Sequence, residues 1–177
     1  AVGFFETHRE FPTDPVDDPR YTLPPAPLPD TPDTRQDMAR FKTMARIYDD
    51  KVGQVLAALG RNGLAENTLV ISTTDHGIAF PRMKCNLQDS GTGIMLMLRG
   101  PGGFTGGKVV DAMVTHMDVF PTVCELAGIT PPSWLQGASL GPVARGEVER
   151  VHEEIFFEVN FHASYEPKRA ARTDRWK

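Results

Sequence analysis

A long amphipathic pattern followed at once by an apolar β-forming run constrains the fold of this chain more than any other feature. Thr31 can cap a helix, Pro32 suits its first position, and Gly60 with the turn GRNG can end it. Between these signals, apolar residues recur at steps of three and four, at Phe41, Ala45, Tyr48, Val52, Val55 and Leu59. The pattern therefore predicts one long amphipathic helix.

Strands are predicted on both sides of this helix. The run NTLVIST predicts a strand at residues 68–74, and the opening VGFFETH predicts another that also ends in polar residues. The strand-helix-strand order of residues 1–99 implies parallel pairing with a right-handed crossover. Because IMLMLRG predicts a further buried strand, this part of the chain indicates an α/β fold.

The remaining segments predict a long loop, a helix and a small appendage. Eight of the fifteen prolines lie at residues 12–32, which predicts an irregular surface loop of the kind that often serves as a lid. MDVFPTVCELAGI predicts a helix from Asp118 to Gly128. EIFFEVNF and KRAARTDRW predict two strands of an α+β appendage, and we place the domain boundary at residue 150.

Composition narrows the class of protein. The chain has 177 residues, 40% of them hydrophobic, which suffices for one globular core. Its apolar runs are too short for a bilayer and it opens without a basic leader, so we expect a soluble chain with no membrane partner. A formal charge of −4 argues against nucleic acid as a partner. Cys85 and Cys124 form no CxxC, which argues against a zinc ribbon or a disulfide scaffold.

The segment STTDHGIAF, residues 72–80, contains the first candidate site. A strand that runs into a glycine turn presents its last polar side chains at the carboxyl edge of a sheet, where open α/β folds bind ligands. The Asp75 carboxylate and a neutral His76 imidazole could therefore be metal ligands. Aspartate before glycine is also ordinary turn chemistry, so the residues alone leave both interpretations open.

Two cationic side chains are further candidates. Lys84 could hold an anionic oxygen, and the alternative is a solvated surface charge. His8 could be a general acid or an anion donor, and the alternative is a polar strand end. Because His8 and Asp75 each end a predicted strand and Lys84 follows the second, we expect the three to converge on one pocket. His116 and His152 lack catalytic spacing and are expected to be structural or exposed.

Five segments carry a family resemblance: GFFETHREF, YDDKVGQVLAALGRNGLAENTLVISTTDHG, KCNLQDSGTGIMLMLRGPGG, HMDVFPTVCELAGI and EVNFHASYEPKRAARTDRWK. Together they resemble the second half of a type I sulfatase catalytic domain, in the heparan N-sulfatase-like branch of the alkaline phosphatase superfamily. The resemblance implies an α/β fold with a mixed, mainly parallel sheet flanked by helices. Residues 1–150 would be the carboxyl-terminal part of the catalytic domain, and residues 151–177 the start of the C-terminal subdomain.

The resemblance also implies roles for the candidate residues. Asp75 and His76 match the family's late metal-ligand pair, and the implied metal is a divalent ion, Ca²⁺. Lys84 matches a lysine that touches the sulfate. His8 matches a histidine that lines the sulfate pocket, although Thr7 replaces the family's usual preceding proline.

A sulfated sugar or glycosaminoglycan is the implied substrate. NFHASYEPKRAART resembles a segment that closes over the sugar, so His162 and Arg169 are implied substrate contacts. In the family chemistry a hydrated formylglycine attacks sulfur while the metal and cations hold the sulfuryl oxygens. Enzymes of this family are commonly exported, periplasmic or secreted, or lysosomal, which is the expected localisation.

The family's nucleophile motif, C/S-x-P-S-R, does not occur in these residues. Neither KCNLQ nor VCELA resembles it. We therefore expect the formylglycine, the early metal-binding aspartates and the missing N-terminal half of the same enzyme to precede residue 1. On that expectation, this chain alone does not turn over substrate.

Three functions remain open on the sequence. The favoured one is hydrolysis of a sulfuric ester or sulfamate on a sulfated sugar. The second is a phosphodiesterase or phosphonate monoester hydrolase of the same superfamily, in which an aspartate-histidine pair is also common. The third is a noncatalytic sugar-binding relic. A nucleophile motif in the coding sequence upstream would exclude the third.

Overall fold

The computed structural model describes all of residues 1–177 and contains both helices and strands. The helices are α1 (Pro32–Arg61), α2 (Asp89–Thr92), α3 (Val119–Leu126) and α4 (Gly141–Arg145). The strands are β1 (Val70–Thr73), β2 (Leu96–Arg99), β3 (Ile155–Phe161) and β4 (Tyr165–Arg172). Short 3₁₀ turns lie at Pro19–Tyr21, Ala65–Asn67 and His116–Asp118.

These elements belong to two compact units. The first unit comprises Ala1–Ala65 and Asp75–Ile94, and the second comprises Glu66–Thr74 and Met95–Lys177. The first unit is therefore built on helices, whereas all four strands lie in the second. The predicted boundary at residue 150 stays a prediction.

Helix α1 begins and ends where the sequence predicts. The Thr31 hydroxyl accepts from the Thr34 amide, and the Thr34 hydroxyl accepts from the Thr31 amide, so the two residues form a reciprocal cap. Pro32 occupies the first turn, and Gly63, with φ 66°, follows the end of the helix. The residues of the predicted apolar stripe are half-buried.

The core of the first unit is aromatic. Phe11, Phe41 and Phe80 contact one another with ring centroids 5.6 to 5.8 Å apart. Two of these contacts are edge-on, an arrangement that aromatic pairs prefer. Phe80 and Met83 are almost fully buried, at 4% and 1% exposure. This cluster joins the amino-terminal segment, α1 and the turn after Asp75.

The predicted proline-rich loop is irregular, as expected, and it is held along its length by α1. The Thr43 hydroxyl accepts from the Val16 amide at 2.9 Å, and Arg46 pairs with Asp17 at 2.8 Å. Nearer the start of the helix, Arg40 donates to the Thr13 carbonyl. Polar side chains of α1 thus fix a loop that has only one 3₁₀ turn of its own.

The strand predicted for VGFFETH is wrong. Residues 1–8 form no strand, and Val2 and Phe5 are 64% and 67% exposed. A strand requires a neighbour that accepts and donates along its backbone, and here the only backbone hydrogen bond of this segment is local, from the His8 amide to the Phe5 carbonyl.

The prediction of parallel pairing within residues 1–99 is also wrong for the strands that form there. β1 and β2 pair antiparallel, with Val70 opposite Arg99 and Thr73 opposite Leu96. Their connection, residues 74–95, brings the chain back in the opposite direction, and its only helix is the four-residue α2. The mainly parallel sheet of the family resemblance stays a prediction.

The remainder of the second unit agrees with the sequence in most elements. The helix predicted from Asp118 is formed by the 3₁₀ turn His116–Asp118 and α3, and Gly128 has a positive φ of 67° beyond its end. β3 and β4, which contain most of the two strands predicted for the appendage, pair antiparallel as a hairpin. Helix α4 was not predicted, because its five residues are too few to show a period. None of the helices has the length and apolar composition needed to cross a membrane.

Candidate active site

Asp75 and His76 follow β1 directly and form a pair. Asp75 Oδ2 lies 3.4 Å from His76 Nε2, and the Asp75 side chain is 86% exposed. The imidazole is less open, with 31% of its side chain exposed. The two side chains therefore present an oxygen and a nitrogen toward a common point near the surface of the first unit.

A second contact fixes the tautomer of His76. Its Nδ1 lies 2.7 Å from the Gly77 carbonyl oxygen, which can only accept, so Nδ1 carries the proton and donates. In the neutral ring, Nε2 then holds a free lone pair on the side that faces Asp75. Histidine ligands of metals are commonly oriented by such a hydrogen bond from the other ring nitrogen.

The chemistry of this pair fits part of a divalent metal site. The carboxylate supplies a hard oxygen donor and the imidazole a nitrogen donor of fixed tautomer. Two donors are fewer than any such ion requires. No group of three or more histidine, cysteine, aspartate or glutamate side chains lies together as a possible metal site within residues 1–177.

Lys84 and His8 are brought together across 76 residues of sequence. Lys84 Nζ lies 3.4 Å from His8 Nε2. His8 Nδ1 lies 2.5 Å from the Arg9 carbonyl and donates to it, so Nε2 accepts from the ammonium when the ring is neutral and can donate to an anion when the ring is protonated. The Phe5 ring packs against the imidazole at a centroid distance of 5.0 Å.

The segment that carries His8 is also anchored to α1. Lys51 Nζ donates to Glu6 Oε1 at 2.5 Å, and the Glu6 side chain is only 13% exposed. This hydrogen bond holds the pKa of Glu6 below its usual value of 4.5. An irregular segment without strand pairing is thus fixed two residues before the imidazole.

Lys84 lies in a turn that two glycines close. The Gly77 amide donates to the Gly91 carbonyl at 2.9 Å, and the Lys84 amide donates to the Ile78 carbonyl at 3.2 Å. A Cβ on Gly77 would lie 1.9 Å from the Ser90 carbonyl oxygen, so only glycine fits there. The turn that begins at Asp75 therefore also positions the lysine.

An ammonium and a protonated imidazole at this separation can each donate to an oxygen of one tetrahedral anion. Of the expected convergence of His8, Asp75 and Lys84, the structure shows the approach of Lys84 to His8. That Asp75 shares their pocket stays a prediction. The roles assigned to His8, Lys84, Asp75 and His76 stay predictions.

The two implied sugar contacts lie in the second unit. His162 is exposed in the turn between β3 and β4, and its amide donates to the Ser164 carbonyl at 3.3 Å. Arg169 on β4 pairs with Glu158 at 3.1 Å and donates to Asn160 at 3.0 Å. Their role in binding substrate stays a prediction.

Two histidines without a predicted catalytic role have partners in the second unit. His116 Nε2 lies 2.8 Å from the Thr73 hydroxyl. His152 Nε2 lies 2.8 Å from a carboxylate oxygen of the fully buried Asp118. His116 is exposed and hydrogen-bonded, and His152 is largely buried and paired.

Sequence reasoning missed Arg9. Its guanidinium binds Asp37 through both terminal nitrogens and donates from Nε to the Ala79 carbonyl. The only signal in the sequence is that Arg9 is adjacent to His8, which by itself does not distinguish a residue with specific partners from a solvated charge.

Comparison with known proteins identifies two matching families. The family described as Sulfatase matches residues 3–129. The family described as N-sulphoglucosamine sulphohydrolase, C-terminal, matches residues 82–177. Together the two matches extend over residues 3–177.

Individual relatives agree with these matches. An ulvan-active sulfatase of Formosa agariphila is 30% identical over 90% of this chain and 26% of its own length. The N-sulphoglucosamine sulphohydrolase of Homo sapiens is 36% identical over 73% of this chain and 28% of its own. Among solved structures, the phosphonate monoester hydrolase of Silicibacter pomeroyi superposes with a TM-score of 0.67 at 27% identity, over 85% of this chain and 31% of its own. The chain thus spans about a quarter to a third of the length of these proteins.

Proposed function

The chain belongs to the sulfatase family, and on this premise we propose that the protein containing it hydrolyses a sulfuric ester or sulfamate of a sulfated sugar. The observation that carries the proposal is the approach of Lys84 to His8, which provides two cationic or donor groups for one sulfuryl group. The names of two relatives, an ulvan-active sulfatase and an N-sulphoglucosamine sulphohydrolase, support a sugar as the group that bears the sulfate.

Each candidate residue has one role in this proposal. Lys84 and His8 bind the sulfuryl oxygens, and the charge that develops on those oxygens strengthens both contacts in the transition state. Asp75 and His76 supply two ligands of a divalent metal, for which we propose Ca²⁺; when bound, the metal would act as a Lewis acid toward the same group.

The attacking oxygen and the contacts with the sugar would come from groups other than His8, Lys84, Asp75 and His76. The family resemblance supports a formylglycine, outside residues 1–177, as the group that would supply the attacking oxygen in its hydrated form. His162 and Arg169 are proposed to contact the sugar, from a subdomain that begins at residue 151. The family resemblance supports an exported or lysosomal location for the intact enzyme.

A phosphonate monoester hydrolase is the second candidate function. The solved hydrolase of that activity is similar to 85% of this chain at 27% identity. An oxyanion clamp of lysine and histidine suits a phosphoryl group as well as a sulfuryl group, because both present anionic tetrahedral oxygens. Comparing turnover of a sulfated sugar with turnover of a phosphonate monoester decides between the two candidate functions.

The test is substrate turnover by the intact protein, with and without Lys84. We expect the wild type to cleave an aryl sulfate or N-sulfoglucosamine, and Lys84→Ala to reduce turnover by about a hundredfold or more. Because Lys84 lies in an irregular turn, the free energy of unfolding should change by no more than about 0.5 kcal/mol. Lys42→Ala, on the exposed face of α1, is the matched control and should retain turnover.

Two results would contradict this proposal. Cleavage of a phosphonate monoester but of no sulfated compound would replace it with the second candidate. Near-wild-type turnover by a normally folded Lys84→Ala variant would remove Lys84 from the site.

A further inference from the structure

Arg9 connects three segments of the first unit. Its Nε donates to the Ala79 carbonyl at 2.8 Å, and its Nη1 donates to Asp37 Oδ1 at 3.1 Å while Nη2 binds the second oxygen of the same carboxylate. Asp37 lies on α1, and Ala79 lies in the turn that leads to Lys84. One guanidinium therefore holds the His8 segment to the helix and to the lysine turn.

Aromatic rings complete the surroundings of the guanidinium. Its Cζ lies 4.4 Å from the centroid of Phe11 and 5.0 Å from that of Phe80. A guanidinium stacked on aromatic faces gains a cation–π attraction in addition to its hydrogen bonds. Because Phe80 is only 4% exposed, this side of Arg9 is fixed by the core of the unit.

The contacts of Arg9 lead to Lys84 through a short path. The Met83 amide donates to the Phe80 carbonyl at 3.1 Å, and the Lys84 amide donates to the Ile78 carbonyl at 3.2 Å. Ala79 and Phe80, which Arg9 contacts, thus belong to the same hydrogen-bonded turn as the lysine backbone. In the other direction, Arg9 is bonded covalently to His8 and its carbonyl accepts from the imidazole Nδ1.

We propose that Arg9 is a positioning residue for the proposed reaction, which sets the 3.4 Å separation between Lys84 Nζ and His8 Nε2. The His8 segment has no strand pairing, so the position of the imidazole depends on side-chain contacts of this kind. The roles of Lys84 and His8 in binding the sulfuryl group belong to the function proposed above. The catalytic effect of Arg9 therefore rests on that proposed function.

Lysine cannot reproduce these contacts. Arginine offers five N–H donors in a planar fork, which can meet a carboxylate and a carbonyl at the same time, whereas lysine is a point charge with one nitrogen. We expect Arg9→Lys to keep the charge and the contact with Asp37 but to lose the simultaneous contact with Ala79. The conservative variant therefore separates positioning from charge.

The test is a double-mutant cycle of Arg9→Lys and Lys84→Ala in the intact protein. We expect Arg9→Lys to lower kcat about tenfold or more, because misplacement of a reacting group by about 1 Å has effects of this size. In the Lys84→Ala background the same substitution should change kcat by less than about twofold, since the Lys84–His8 pair whose separation Arg9 sets is no longer present. A residue that only stabilises the fold would give equal fold-losses in both backgrounds, and that result would overturn the proposal.

Two further variants test whether the effect is specific. Arg46→Lys alters an arginine of α1 that is 60% exposed and pairs with Asp17 of the proline-rich loop, and it should leave kcat within about twofold of wild type. Asp37→Asn keeps the shape of the partner but removes its charge, and should reproduce part of the Arg9→Lys loss. A loss with Arg46→Lys equal to that with Arg9→Lys would contradict the proposal.

A crystal structure of the Arg9→Lys variant tests the geometry without turnover. We expect Lys84 Nζ and His8 Nε2 to separate beyond about 4.5 Å, outside hydrogen-bond distance. An unchanged separation would overturn the role of Arg9 even if kcat falls. The double-mutant cycle of Arg9→Lys and Lys84→Ala is run on whichever ester the wild type cleaves. Absence of sulfatase activity would contradict the proposed function, but Arg9 could still be tested on the other ester.

Discussion

The hydrogen bond from His76 Nδ1 to the Gly77 carbonyl gives this histidine a defined chemistry. It leaves Nε2 as the acceptor beside the Asp75 carboxylate, so a cation placed between them would meet two lone pairs and no competing proton. Protonation of the ring would convert Nε2 into a donor and remove this nitrogen as a ligand. The pair is thus suited to a metal only while the imidazole is neutral.

Asp75→Asn should weaken binding of Ca²⁺ to the intact protein by about tenfold or more. The substitution removes the one formal negative charge of the pair, and the affinity of oxygen-rich calcium sites depends on ligand charge. Isothermal titration with CaCl₂ measures the dissociation constant directly. Asp14→Asn, which changes an exposed aspartate of the same unit, is the control and should leave the constant unchanged. Equal affinity in the wild type and Asp75→Asn would exclude Asp75 as a ligand.

At the scale of elements, the turn from Asp75 to Gly91 shows how glycine positions a charged side chain. Gly77 and Gly91 pair through their backbones, and each is enclosed by carbonyl oxygens. On Gly91, a Cβ would lie 2.2 Å from the Asn86 carbonyl and 2.3 Å from that of Met83. The turn can close around Lys84 only with glycine at both positions.

Gly77→Ala should destabilise the protein by about 1–3 kcal/mol, because the new methyl group would overlap the Ser90 carbonyl and force the turn to shift. Gly53→Ala is a matched substitution inside α1, where a Cβ meets nothing within 4 Å, and should stabilise the helix by about 0.5–1 kcal/mol. Chemical denaturation of the two variants should therefore give changes of opposite sign. Equal effects would show that the turn accommodates a side chain at position 77.

The elements that could be predicted from sequence are those specified by local signals. Thr31, Pro32 and the apolar steps define α1 because capping and periodicity act within a few residues. Strands depend on distant partners, so the apolar opening VGFFETH predicted a strand that does not form. For the same reason, the antiparallel direction of β2 against β1 could not be predicted from either segment alone.

The approach of Lys84 to His8 was predicted from a premise that is wrong for His8. We expected His8 to reach the site as the last residue of a strand, but its segment is held by Glu6, Phe5 and Arg9 instead. These contacts depend on the positions of Lys51, Asp37 and Ala79, which are far apart in the sequence. Side-chain connections of this kind have no local pattern, which is why Arg9 was missed.

For the whole chain, each of the two units is discontinuous in sequence. Residues 75–94, which carry Asp75, His76 and Lys84, belong to the same unit as residues 1–65, while residues 66–74 belong to the other. A boundary read along the sequence cannot represent such a division, because it assigns each domain one continuous segment. The predicted boundary at residue 150 can be tested through the hydrogen bond between Asp118 and His152. These two residues lie on opposite sides of that boundary but within the second unit.

That contact is made by Asp118, which is fully buried and accepts hydrogen bonds from Thr115, Ala138 and His152. Asp118→Asn replaces one acceptor oxygen by a donor, so at least one buried partner loses its hydrogen bond. We expect a loss of about 3 kcal/mol and a Tm lower by at least about 5 °C. Calorimetry of the intact protein measures this change in Tm, with Asp111→Asn at an exposed position as control.

Hydrogen exchange in the Asp118→Asn variant tests the boundary. If residues 151–177 fold with the second unit, hydrogen exchange in β3 should rise together with that in α3. Faster exchange in α3 alone would mean that the hairpin folds independently beyond residue 150.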